Sequence, residues 1–164
     1  EGIIEKLSQV FSHDITCISA FGFIMEPFVS GPTLQDYLLK NRSRLTTPLY
    51  ESILLHQLIC EELKVENGDW HAANFIVIED EENAFNKDLP KMVHIDWGAA
   101  RPLESHELSA SDKEARTHQV MNIGFSFQDD KLANEVEQIH KTISSNPQRL
   151  SDLRKQASKI ANSY

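Results

Sequence analysis

The sequence predicts an α+β fold, mainly helical with a small antiparallel ribbon. Three observations predict it. Apolar residues recur at helical spacing over 48–64, 131–143 and 150–160. Two short apolar runs, 75–78 and 92–95, flank an acidic and then polar stretch, as two strands flank an exposed excursion. Turn signals punctuate the chain at Ser30-Gly31-Pro32, Asn67-Gly68 and Asn146-Pro147.

The elements follow in order. Residues 3–11 read as a short amphipathic helix with Ile3, Ile4, Leu7, Val10 and Phe11 on one side, broken by Ser12-His13-Asp14. Residues 15–18 and 21–28 read as two strands with a bend near Gly22. The second should end at Pro27, which has no N–H to give a sheet. Thr33 is the expected N-cap of a helix through Leu34, Tyr37, Leu38 and Leu39. Thr47 as N-cap and Pro48 at the first helical position predict a longer helix to about Lys64. Its apolar positions are Leu49, Ile53, Leu54, Leu58, Ile59 and Leu63. Residues 102–117 read as a loop with one helical turn, and 120–127 as a short apolar run. Leu132, Val136, Ile139 and Ile143 share one helix face, and 150–160 form a last helix.

Composition narrows the function. The chain has 164 residues, enough for one core of its own, with 40% hydrophobic and 25% charged residues. A net charge of −9 argues against nonspecific binding to nucleic acid or to an anionic membrane surface. It leaves nucleotide binding open, because phosphate recognition is local and a divalent cation carries much of the charge. Cys17 and Cys60 are far apart and form no metal or redox spacing, which points to a reducing, cytoplasmic compartment. No apolar run approaches the length of a membrane span.

The most informative residues are Asn67-Gly68-Asp69-Trp70-His71-Ala72-Ala73-Asn74 before one strand, and Asp96-Trp97-Gly98 after the next. Asp69, Asn74 and Asp96 are the residue types phosphoryl transfer needs. One carboxylate orients a hydroxyl and accepts its proton; a second carboxylate and an amide oxygen hold hard Mg²⁺. His71 is placed to reach the transferring phosphoryl group if protonated, or to hydrogen-bond if neutral. Against this stands a purely structural reading, since Asn-Gly-Asp and Asp-Trp-Gly are both good turn sequences. The ordered conjunction of helix, Asp-x-His-x-x-Asn, strand, loop, strand and Asp-x-Gly favours chemistry. The remaining histidines, His13, His56, His94, His106, His118 and His140, show no ligand spacing. A zinc site from His71, His94 and an Asp is the weaker alternative.

These residues resemble the C-terminal lobe of the protein-kinase-like superfamily over roughly residues 1–103. By that resemblance Asp69 is the catalytic-loop Asp, with His71 contacting the γ-phosphate. Asn74 and Asp96 are metal ligands, and Asp96-Trp97-Gly98 is the DFG-like element. Met25-Glu26-Pro27-Phe28 looks like the hinge, with Met25 as gatekeeper and the Glu26 carbonyl and Phe28 amide meeting adenine. Residues 1–28 are then the end of an N-lobe, with Glu5 as the ion-pairing Glu of its helix, and 29–164 the C-lobe. His71 and Ile95-Asp96-Trp97-Gly98 look like aminoglycoside and choline phosphotransferases. Gly98-Ala99-Ala100-Arg101 looks more like protein kinases. Compact bacterial effector-type kinases mix both, and that type implies delivery into a host cytosol.

The sequence also departs from the pattern. Asn67 stands where these families usually have His, which predicts an orienting contact that is lost or different. His71-Ala72-Ala73 replaces the usual catalytic-loop variants, no Ala-Pro-Glu follows Gly98, and the region after Arg101 is short for a full C-lobe. The six glycines form no G-x-G-x-x-G, and no Lys-bearing strand precedes Glu1. The rest of the nucleotide cradle is expected upstream, because residue 1 falls inside a helix pattern; a cradle supplied by a partner, or a chain that no longer catalyses, are the other readings. The function the resemblance implies is an ATP- and Mg²⁺-dependent phosphotransferase acting on a hydroxyl, protein-kinase-like in type. Its rivals are a small-molecule kinase of the aminoglycoside/choline type, a pseudokinase or scaffold for a protein partner, and a metal-dependent hydrolase. Ser105, Ser109, Ser111 and Thr117 read as a solvated loop, with phosphorylation as the alternative.

Overall fold

Residues 16–18, 23–25, 29–41, 45–78, 91–103 and 130–163 are described by the computed structural model. The expected helix over 3–11 with Glu5, the bend at Gly22, hinge residues Glu26 and Phe28, the 79–90 excursion and the 104–129 segment lie outside the described residues. The described fold is mixed α+β and mostly helical, with four helices and three two-stranded antiparallel pairings.

Strand β1, Thr16–Ile18, pairs antiparallel with β2, Phe23–Met25, setting Thr16 opposite Met25. Helix α1, Leu34–Asn41, starts where expected. The Thr33 hydroxyl accepts from the Asp36 amide at 3.0 Å and donates to the Asp36 carboxylate at 2.8 Å, which satisfies a first-turn N–H and places negative charge at the helix N-terminus. The turn before α1 is docked, not merely a connection. The Val77 amide donates to the Pro32 carbonyl at 2.9 Å, and Thr33 bridges to Ile76. A Cβ on Gly31 would sit 2.6 Å from the Val77 carbonyl oxygen, so only glycine allows this approach.

Helix α2, Thr47–Glu62, is the centre of the molecule. Its N-cap is Thr46, not Thr47: the Thr46 side chain accepts from the Leu49 amide at 3.3 Å, and Pro48 occupies the second helical position. The one-residue shift is neutral for Pro48, because every N–H of the first turn lacks an intrahelical partner. Periodicity predicted one apolar face. Instead every residue from Leu49 to Glu61 is buried, as befits a helix with neighbours on all sides. Lys64, in the left-handed region at φ 57°, closes the helix and turns the chain into β3, Val65–Glu66. Strand β4, Phe75–Ile78, pairs antiparallel with β5, Lys91–His94, in the register Phe75 opposite His94 and Ile78 opposite Lys91. This is the expected ribbon. Strand β6, Arg101–Pro102, returns antiparallel to β3, and Arg101 ion-pairs with its cross-strand neighbour Glu66.

Helices α3, Asp130–Ser144, and α4, Pro147–Ala161, close the fold. Asn146 serves both: its amide donates to the Ile143 carbonyl at 3.0 Å, and its side chain caps α4 by accepting from Arg149 N at 3.1 Å. Val136 and Ile143 are buried, with Leu132 and Ile139 packed beside them, as the periodicity predicts. Helix α4 lies along α2, burying Leu153 and Ala157. Two buried carboxylates of α2 face it. Glu51 takes a two-pronged bond from Arg149, at 2.6 Å from Nε and 2.5 Å from Nη2, and Glu61 lies 3.5 Å from Arg154. No helix among the described residues is long and apolar enough to cross a membrane.

Candidate functional site

The site forms at one end of the β4–β5 ribbon, where β4 begins and β5 ends. Each strand is preceded or followed by a short 3-10 turn, Ala72–Asn74 before β4 and Trp97–Ala99 after β5. The Ile95 amide donates to the Asn74 carbonyl at 2.8 Å, so the ribbon's ladder continues into the two turns. Beneath them an aromatic cluster fixes their relative position. Phe75 stacks on His94, centroids 4.3 Å apart, and Trp70 and Trp97 each sit 4.8 Å from the His94 ring. The Trp97 indole N–H donates to the His94 carbonyl at 2.9 Å. His94 is fully buried in this cluster, a core residue and not a surface ligand.

Asn67 connects the two loops and is itself fully buried. Its Oδ1 accepts from the Asp69 amide at 2.9 Å, the local turn expected of Asn-Gly-Asp. Its Nδ2 donates to the Asp96 carbonyl at 3.2 Å, which the local turn does not explain. Asn67 therefore makes a contact between the loops, the different form of the two outcomes expected at this position. Gly68, at φ 84°, brings the first loop against the second: a Cβ there would lie 2.8 Å from the Ala99 carbonyl oxygen. In sequence these two residues announce only a turn, and their reach to the second loop appears in the fold. An Asn-Gly pair immediately before an acidic residue was the available signal.

The side chains singled out by sequence are partly brought together. Asn74, buried, donates from Nδ2 to Asp69 Oδ2 at 3.0 Å and to the Asp69 carbonyl at 3.2 Å. This leaves Asn74 Oδ1 without a hydrogen bond among the described residues. His71 Nε2 lies 3.4 Å from Asp69 Oδ2, and its Nδ1 accepts from the Ala73 amide at 3.2 Å. Asp69 remains 47% exposed, open to an incoming group. Asp96 is exposed and held in the left-handed region at φ 59°, which Asp and Asn enter more readily than other side chains. Strand β2, ending in Met25, runs beside the Trp97–Ala99 turn, so the backbone of the expected hinge entry borders the site.

The donor set suits a small hard cation. Among the described residues no group of three or more His, Cys, Asp or Glu is gathered to hold a metal. One carboxylate and one amide oxygen are enough for Mg²⁺, which retains waters and binds substrate phosphates instead of demanding an all-protein cage. Asp96 and Asn74 carry those two oxygen types, on the two loops that Asn67 joins. No protein-family model matches this chain, and neither a curated protein nor a solved structure matches it.

Proposed function

We propose that this chain carries the acceptor-activating and metal-holding part of a phosphotransferase that moves the γ-phosphoryl group of ATP to a hydroxyl of a protein or small molecule. The observation that supports it is the Asn67 junction, which ties the amide of Asp69 to the carbonyl of Asp96 across two separate loops. A pair of unrelated turns has no need of that buried bridge.

Asp69 orients the acceptor hydroxyl and takes its proton. The acceptor oxygen bonds to the γ-phosphorus as the bond to the bridging oxygen breaks, and ADP leaves with that electron pair. Asp96 and Asn74 would hold Mg²⁺, which when bound neutralises charge on the phosphate oxygens. The carboxylate of Asp69 is ready for its part because Asn74 and His71 gather at one of its oxygens while the side chain stays open to solvent.

The test, in the intact protein, is calorimetric titration with ATP, with and without Mg²⁺, alongside ADP formation. Binding should require Mg²⁺ and be lost in Asp96→Ala. Asp69→Asn should bind as the parent does while turnover falls roughly a hundredfold or more. ATP binding indifferent to Mg²⁺, or undiminished turnover in Asp69→Asn, would remove the basis for this reading.

A further inference from the structure

Resting on the phosphotransferase reading above, we infer that His71 is a positioning residue for Asp69, not a phosphate ligand, and that it fixes Asp69 Oδ1 as the oxygen that takes the acceptor proton. The chain of contacts is short. The Ala73 amide donates to His71 Nδ1 at 3.2 Å, capping the 3-10 turn with the imidazole. A nitrogen that accepts a hydrogen bond carries no proton, so in the neutral ring the proton is on Nε2. That nitrogen lies 3.4 Å from Asp69 Oδ2.

Oδ2 therefore faces two donors, Asn74 Nδ2 at 3.0 Å and His71 Nε2–H. Oδ1 has no partner among the described residues. With one oxygen held by donors and the other open, the carboxylate has a single oxygen to offer a hydroxyl. The 3.4 Å contact is longer than a formed hydrogen bond, as such contacts commonly are before substrate tightens them. A ring whose two nitrogens are turned to Ala73 and Asp69 has none left for a γ-phosphate.

Two substitutions separate the two contacts of the ring. His71→Asn keeps an acceptor for the Ala73 amide, because an asparagine side chain makes the same local turn, but is too short to reach Oδ2. His71→Gln places an amide donor near the position of Nε2 and gives up the cap. With Mg-ATP as probe and water as acceptor, His71→Asn should keep its melting temperature. Its kcat for ADP formation should fall roughly tenfold at unchanged KM for ATP. His71→Gln should recover kcat to within about threefold of the parent while melting lower. A raised KM for ATP with unchanged kcat in both variants overturns the assignment and makes His71 a phosphate contact.

A second measurement does not depend on turnover. Long-range proton–nitrogen correlation of the imidazoles, at about pH 8 where histidine is ordinarily neutral, reports which nitrogen bears the proton. The proton should be on Nε2 of His71, with a resonance that moves in Asp69→Ala. A proton on Nδ1, or an Nε2 signal indifferent to Asp69→Ala, overturns the inference. If the intact parent protein neither binds nor turns over Mg-ATP, the phosphotransferase reading fails. The spectrum then still decides whether His71 holds Asp69.

Discussion

Asn67 Nδ2 donates to the Asp96 carbonyl at 3.2 Å, a bond that ties the loop before β4 to the loop after β5. The same side chain receives the Asp69 amide at 2.9 Å. Because Asn67 is fully buried, truncation leaves an amide and a carbonyl without their partner and opens a small void. Asn67→Ala should cost about 1–3 kcal/mol in urea unfolding. The Mg²⁺ dependence of ATP binding should weaken in parallel, because Asp96 loses its support. Asn67→Asp keeps the acceptor and loses the donor, so it should preserve the Asp69 turn and still impair Asp96. Parent-like behaviour of Asn67→Asp would show that the Asp96 bond contributes nothing, and equal loss in the two variants that the Asp69 bond contributes nothing.

Gly68 is the steric counterpart of that bond. At φ 84° it occupies a backbone region that side chains enter at a cost of about 1–3 kcal/mol. The Cβ of an alanine would also lie 2.8 Å from the Ala99 carbonyl oxygen and 3.3 Å from the Ala99 Cβ. Neither neighbour is the far end of a flexible chain, so the two loops must part. Gly68→Ala should lower thermal stability and reduce Mg-ATP binding together, whereas Gly68→Ala combined with Ala99→Gly should recover only part of the stability. The double variant relieves the contact with the Ala99 side chain but leaves the carbonyl in place. Full recovery on removing the Ala99 methyl would show that the carbonyl contact is not the constraint.

The helices and the β4–β5 ribbon were legible because their signals are local. Apolar period gives α3 and α4, Asn146 gives the boundary between them, and two apolar runs around a polar stretch give the hairpin. What periodicity misses is context. Helix α2 reads as one-sided from Leu49, Ile53, Leu54 and Leu58, yet Tyr50, His56 and Gln57 are equally buried. Nothing in a single helix announces what will cover its polar face. Glu51 and Glu61 are tolerated inside only because Arg149 and Arg154 arrive from α4, about a hundred residues later in the chain. At the site, residue types were legible and partners were not. His71 carries the right chemistry for a phosphate contact, and only geometry turns its nitrogens to Ala73 and Asp69.

Cys60 gives a pH-dependent test of the α2 core. It is buried, and that burial, with Glu61 beside it, pushes the thiol up to about 12 from its ordinary 9.0. The folded protein therefore holds this proton at pH values where the unfolded chain has released it. The resulting stabilisation is complete below the unfolded value of 9.0 and is lost progressively as pH rises toward about 12. In a Cys17→Ser background, iodoacetamide should label Cys60 at pH 8 on the order of a thousandfold more slowly in the native protein than in urea. Between pH 9 and 11 the parent should lose more stability than Cys60→Ala does, as read from urea midpoints. Rapid native labelling at pH 8 would place Cys60 outside the core.

Asp96 offers a case in which glycine should stabilise. The residue sits at φ 59°, where alanine retains the left-handed strain and glycine does not. Both substitutions remove the carboxylate, so both should abolish Mg²⁺-dependent ATP binding. They should differ in stability: Asp96→Gly should exceed Asp96→Ala by about 1 kcal/mol, against the usual order in which glycine costs more through its unfolded-state entropy. Asp96→Asn, which tolerates this backbone region and keeps one oxygen, should match the parent in stability and retain weakened Mg²⁺ dependence. If alanine proved as stable as glycine here, the left-handed backbone at Asp96 would carry no strain for glycine to relieve.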